Sequence, residues 1–244
     1  MPSLLEKSVF EENAIKMIVN RYQDETLVLT DFFKEVYKNE LAETAFIGQI
    51  HSYTKFGLSP DVIDYSQEEH EFRIVCLNEE LDELLLANKE NNQGEVIDAI
   101  VDYLVFTVGT AYRADYVIET ATSLPLLITD AAKELAIDLI NTEKLDINEI
   151  FHSINKRRVE ELSTTDFSSI EDYCLLLAKM ITSALVLLEH YDRNNEMVTY
   201  YRRVLDANNS KKLGGNSKRG SFAIDLVKPE GWEAPSFKGL SLIK

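Results

Sequence analysis

At 244 residues the chain is long enough for one large or two small domains with a real core. Its 45% hydrophobic and 27% charged content places it among folded globular chains rather than disordered or membrane-spanning ones. A net charge of −17 opposes non-specific binding to nucleic acid or to an anionic membrane, but it leaves open a small anionic ligand carried in by metal.

Residues Met1–Lys7 lack the apolar core of a signal peptide. Nine glycines and five prolines leave little punctuation and period-2 alternation is scarce, so the expected fold class is all-α. Helical periodicity marks roughly 10–21, 29–54, 68–90, 94–122, 129–141, 146–161, 168–191 and 195–207. Gly57-Leu58-Ser59-Pro60 is expected to stop one helix and Ser123-Leu124-Pro125 to break another. Cys76 and Cys174 fall in apolar helical settings and give neither a disulfide framework nor a zinc site, which points to a reducing cytoplasm. The longest apolar stretch, Cys174 to Leu188, is broken by Lys179 and is too short to span a bilayer.

After Asn208 the texture changes to a polar loop containing Gly214, Gly215 and Gly220, followed by the extended or turn-like run Asp225 to Trp232. Residues 201–244 hold nine Lys/Arg against four acids and carry +5, so the preceding 200 residues carry −22. An acidic body with a basic tail suits a metal–phosphate site that receives cationic help from the tail.

Two acidic clusters, Glu79-Glu80-Leu81-Asp82-Glu83 and Glu95 to Asp102, sit in helical sequence joined by Asn91-Asn92-Gln93-Gly94. Helix positions three and four apart share a face, so Glu79 or Glu80 aligns with Glu83, and Glu95, Asp98 and Asp102 share a stripe. A solvated acidic face would account for one such cluster. Asp98 and Asp102, however, interrupt an apolar run from Val96 to Phe106, where carboxylates are seldom left unpaired. A turn between the helices would bring the stripes face to face, and facing carboxylates can cage Mg²⁺.

One weak internal echo lies at an offset of 73 residues, where Ile170 to Ala184 repeats Ile97 to Ala111. It sets Glu171 opposite Asp98 but Leu175 opposite Asp102, so a repeat would have lost its ligand pattern. His51, His70, His152 and His190 are dispersed without ligand spacing, and no P-loop, GxGxxG or GxSxG motif occurs.

The EExxE cluster, followed by Asp98 to Asp102 and Gly109-Thr110-Ala111, resembles MazG-like all-α nucleoside triphosphate pyrophosphohydrolases, and most of all the short forms often encoded by bacteriophages. Gln49 through Leu58 resembles the family's N-terminal helix and FG turn. Val204 through Lys211 resembles its Asn-x-Ser-Lys segment, and Asp225 through Pro235 its closing tail. The resemblance covers about 48–112 and 192–237, with roughly 80 residues intervening where the family has a short stretch.

The resemblance implies a single domain over 1–244. Its parts would be unmatched N-terminal helices (1–45), a metal-binding core (46–112), inserted helices (113–195), and a C-terminal helix with a nucleotide-side tail (196–244). It implies Mg²⁺, with Mn²⁺ as an alternative, held by Glu80, Glu83, Asp98 and Asp102, with Glu79 and Glu95 as alternates. Glu79 or Glu80 would serve as catalytic carboxylate. Asn208, Lys211 and Lys228 would meet the phosphates, with Lys212, Lys218 and Arg219 as neighbours; Tyr103 and Trp232 are open to stacking on the base or to a core or tail-anchoring role.

The reaction implied is attack at the α-phosphorus, giving a nucleoside monophosphate and pyrophosphate, in the cytoplasm (the host's if the chain is phage-encoded). Family members pair hairpins into four-helix bundles, usually between subunits, so a homodimer is expected, although segment 115–195 could complete the bundle within one chain. The competing readings are a helical interaction protein that keeps the motifs as scaffold, and a hydrolase of a modified or signalling nucleotide.

Overall fold

A computed structural model describes residues 23–141, 146–192, 194–214, 216–217, 220–221 and 225–242. The helix expected over 10–21, and Lys218 and Arg219, lie outside the described residues. Among the described residues the chain is all-α apart from two short ribbons. It forms α1 (residues 23–35), α2 (Glu40–Lys55), α3 (Gln67–Lys89), α4 (Gln93–Arg113), α5 (Val117–Asn141), α6 (Ile147–Thr164), α7 (Ile170–Tyr191) and α8 (Met197–Asn209). No described helix is long and apolar enough to cross a membrane.

Three helix ends are closed by one device, a left-handed residue just past the last turn. Gly57 (φ 68°), Asn91 (φ 54°) and Asp115 (φ 66°) each donate to the carbonyl three residues back. The next N–H in each case reaches five residues back, as in Leu58 to Tyr53 O, Asn92 to Ala87 O and Tyr116 to Ala111 O. This pairing satisfies the carbonyls that a helix end leaves exposed.

Two expectations fail for local reasons. The single helix expected over 29–54 is two helices, because the Asn39 side chain accepts from Ala42 N–H at 2.9 Å and so starts α2 afresh. The break expected at Ser123-Leu124-Pro125 does not occur; the chain turns at Asp115 instead, and Pro125 lies inside α5. An interior proline costs about 3 kcal/mol. The helix bears it because Ala121, Leu124, Ala131 and Leu135 are all buried in the core.

Helices α3 and α4 form an antiparallel hairpin that packs on a second hairpin, α6 and α7, with α3 against α6 and α4 against α7. Helix α5 lies along α7, and α2 packs on both α4 and α8. The apolar face of the first hairpin is therefore covered by the same chain. Polar ties cross the bundle: Tyr103 Oη donates to Asn155 Oδ1 (3.2 Å), Lys156 Nζ to Asp82 (3.1 Å) and Asn148 Nδ2 to Asn88 Oδ1 (2.8 Å). The 73-residue offset carries α3 and α4 onto α6 and α7, and it sets Ser153 opposite Glu80 and Lys156 opposite Glu83.

Beyond α8 the chain forms β1 (Lys212–Leu213), β2 (Asn216–Ser217), β3 (Gly220–Ser221) and β4 (Leu226–Val227). Strand β1 pairs antiparallel with β4 and β2 with β3.

Candidate active site

The hairpin is locked at the end opposite its turn. Glu69 near the start of α3 is 2% exposed and accepts from two buried arginines. Arg73 Nη2 reaches Glu69 Oε1 at 2.7 Å, and Arg113 at the end of α4 reaches both oxygens at 2.9 Å. Arg113 also donates to Leu58 O (2.5 Å) and Ile63 O (2.7 Å), which ties down the loop between α2 and α3. Burial alone would raise the Glu69 carboxyl, but Arg113 and Arg73 together hold it below the usual range. Arg73 also donates to Tyr53 Oη (3.2 Å), and the Tyr53 ring approaches α4 over Gly109. A β-carbon at Gly109 would stand 2.5 Å from Tyr53 Oη, so the glycine is what allows α2 and α4 this close.

With the hairpin fixed, the two acidic clusters lie on packed neighbouring helices on either side of its turn. Glu79, Glu80 and Glu83 come from the last half of α3, and Glu95, Asp98 and Asp102 from the first half of α4. Glu80 is buried; Glu79, Asp98 and Asp102 are half-buried; Glu83 and Glu95 are exposed.

Asp98 is the centre of this arrangement. Burial raises its carboxyl above the usual value and the charge of Glu83 raises it further, while the Tyr200 hydrogen bond, Lys211 and Lys228 pull it down. Tyr200 Oη on α8 donates to Asp98 Oδ1 at 2.6 Å. The Tyr200 hydroxyl is itself pushed up, first by burial and then by Asp98, with Asp102 and Glu95 adding to the effect. Four acids from two helices thus act on one small region, together with a tyrosine and two lysines from the C-terminal part of the chain.

The tail residues gather around Trp232. Its indole Nε1 donates to Ala207 O at 2.9 Å, while Lys228 Nζ lies 4.4 Å and Lys211 Nζ 5.4 Å from the ring centroid. Pairing of Lys212–Leu213 with Leu226–Val227 holds the two lysines on the same side of the site. Trp232 therefore anchors the tail. Asn208 is half-buried in the last turn of α8, and its backbone carbonyl accepts from Lys211 N–H at 3.1 Å.

Tyr103 is a correction. It is fully buried, bonded to Asn155 and packed edge-on against Phe151 at 5.6 Å, so it serves the bundle core and is closed to a base. Tyr200 and Phe237, which stacks on it at 3.9 Å, were not legible as site residues. Tyr200 reads as one more apolar-face position of α8, and only its contact with Asp98 marks it.

The donor set is hard carboxylate oxygen, which suits Mg²⁺ or Mn²⁺ and not a soft metal. Among the described residues no group of three or more Asp, Glu, His or Cys stands at metal-holding spacing. The acids converge without closing into a cage. What fits a cation is the half-buried Asp98, whose bare anion is disfavoured first by burial and then by Glu83.

Residues 59–115 match the family model for phosphoribosyl-ATP pyrophosphohydrolase. The matched segment is the α3–α4 hairpin with the loop that Arg113 holds. In this segment the chain is similar to the MazG-like all-α nucleotide pyrophosphohydrolase fold family. The match takes in all six acids of the two clusters and supports a nucleotide pyrophosphohydrolase type of function. It covers less than a quarter of the chain and stops short of Tyr200, Lys211 and Lys228. Comparison with curated proteins and with solved structures gave no match.

Proposed function

We propose that the protein is a divalent-metal-dependent nucleotide pyrophosphohydrolase that cleaves a nucleoside or deoxynucleoside triphosphate to the monophosphate and pyrophosphate. The observation that carries this reading is the convergence on Asp98 of Glu83 from α3 and of Lys211 and Lys228 from more than a hundred residues further along the chain. Acids alone would mark a cation site. Acids beside two lysines mark a place for a cation and a polyphosphate together.

In this reading Glu80, Glu83, Asp98 and Asp102 hold Mg²⁺ or Mn²⁺, with Glu95 at the exposed edge. The bound ion would neutralise phosphate charge and lower the pKa of a water. Lys211 and Lys228 sit against the β- and γ-phosphates, and Asn208 adds a polar contact at the end of α8. A carboxylate that the ion does not fully occupy, Glu79 or Glu80, accepts the proton of the attacking water. The water oxygen bonds to the α-phosphorus, the bond from that phosphorus to the α–β bridging oxygen breaks, and pyrophosphate leaves with the bridging electrons.

The second hairpin, α6–α7, stands where the resemblance led us to expect another subunit. Lys156 and Leu175, set opposite Glu83 and Asp102, leave it without the acidic pattern, so one chain holds one site and a homodimer is not needed to build it. Hydrolysis in heavy-oxygen water tests the chemistry: the label should enter the monophosphate. Label in pyrophosphate, or a diphosphate product, would refute attack at the α-phosphorus. A panel of bases and of modified nucleotides in the same assay separates pool-type substrates from a specialised one.

A further inference from the structure

Tyr200 is 1% exposed, and its hydroxyl meets its hydrogen-bonding need on a carboxylate of the acidic site. Two other tyrosines donate to neutral partners instead: Tyr116 Oη to Phe167 O and Tyr191 Oη to Asn148 Oδ1. A donor bond to a carboxylate at 2.6 Å is of the short, charge-assisted kind, and it fixes the acceptor's orientation as well as the donor's.

The tyrosine is held in turn. Phe237 lies flat on its ring, with centroids 3.9 Å apart and planes 14° from parallel. Phe237 belongs to a strap, residues 236–242, that runs from α8 to the first turn of α4. Arg203 on α8 donates to Ser236 O (2.5 Å) and Lys238 O (3.0 Å). At the other end Leu242 is buried and its carbonyl accepts from Gln93 Nε2 at 2.9 Å, two residues before Glu95 and five before Asp98. Ser241 bonds Glu196, the residue before α8, through both its backbone N–H and its hydroxyl. The strap therefore grips both helices whose side chains meet in the Tyr200–Asp98 bond.

We propose that Tyr200 is a positioning residue for the acidic site and that the 236–242 strap sets it through the Phe237 stack. This rests on the reading of that site given above. With Oδ1 committed to Tyr200, Asp98 is presented to a cation in one orientation. Partners that hold a metal-binding carboxylate in this way typically contribute roughly 10–100-fold to metal affinity or activity.

The test uses the full chain with Tyr200→Phe, Phe237→Leu and the double variant. Mn²⁺ binding is measured by calorimetry without nucleotide, kcat and KM with the best substrate, and thermal melting without metal. Tyr200→Phe keeps the ring and its stack, so melting should stay near that of the parent. Mn²⁺ affinity and kcat should each fall about tenfold or more, with KM little changed. Phe237→Leu should produce a smaller loss in the same direction, and the double variant should be no worse than Tyr200→Phe alone, because the strap acts through that hydroxyl. Parent-like Mn²⁺ affinity and kcat in Tyr200→Phe, or losses that multiply in the double variant, would overturn the proposal. Should Tyr200→Phe not fold, parent-like Mn²⁺ affinity in Phe237→Leu overturns it. A parent protein that neither binds Mn²⁺ nor hydrolyses any nucleotide defeats the proposed function itself, and this proposal with it.

Discussion

Replacing Arg113 with methionine should unlatch the hairpin that carries the acids. The guanidinium is fully buried and makes four contacts, two to Glu69 and one each to Leu58 O and Ile63 O. Breaking a buried ion pair by removing one partner costs about 3–5 kcal/mol. Glu69 keeps Arg73 at 2.7 Å, which argues for the lower end of that range. The two stranded carbonyls add about 1 kcal/mol each, the low end for an unmet acceptor, since their loop can move toward water. The total is about 5 kcal/mol, comparable to the whole stability of a marginal domain. For a chain of this size it corresponds to a melting point lower by roughly 10–20 °C. Urea denaturation of the parent, Arg113→Met, Glu69→Gln and the double variant measures it. The double variant should recover part of the summed loss, because the stranded carboxylate is then gone. A cost below about 1 kcal/mol for Arg113→Met would show that the loop and hairpin are held by apolar packing alone, and the reasoning would fail.

Gly109→Ala should cost about 1–3 kcal/mol, because the added methyl meets Tyr53 Oη, whose ring Arg73 holds in place; Gly109→Ala with Tyr53→Phe should recover some of it, read by the same denaturation series. Burial holds the His70, His51 and His152 imidazoles below their ordinary value, so the unfolded chain takes up protons first as pH falls. Stability should be fully present above about pH 6.5 and decline below it, with a shallower decline in His70→Asn, and flat melting temperatures between neutral and mildly acid pH would contradict this. One nucleotide should bind per chain by calorimetry, and a stoichiometry near two would show that the α6–α7 hairpin also carries a working site.

The helix pattern was legible, and so was the shared face of the acids within each cluster, because both follow from spacing within one helix. The boundary at Asp115 was not legible, since a left-handed aspartate leaves no mark in a sequence where prolines draw the eye. Glu69, Arg73 and Arg113 carry no mark in the sequence that pairs them. Their meaning arises only when α3 and α4 fold back and bury them together. Tyr103 and Tyr200 show the same limit from two sides: both are aromatic residues on apolar helix faces, and tertiary packing alone sends one into the bundle core and the other onto Asp98.

The most direct measurement is pyrophosphate release from a panel of nucleoside triphosphates by the parent, Asp98→Asn and Glu83→Gln, with Mg²⁺ and with the metal chelated. The parent should release pyrophosphate only with the metal present. Each variant should fall below about a tenth of the parent rate, a loss of more than ~1.4 kcal/mol of transition-state stabilisation. Metal-free Asp98→Asn should melt no lower than the parent, because burial and Glu83 both disfavour the charge it removes. Turnover that persists without metal, or at the parent rate in both folded variants, would contradict the account.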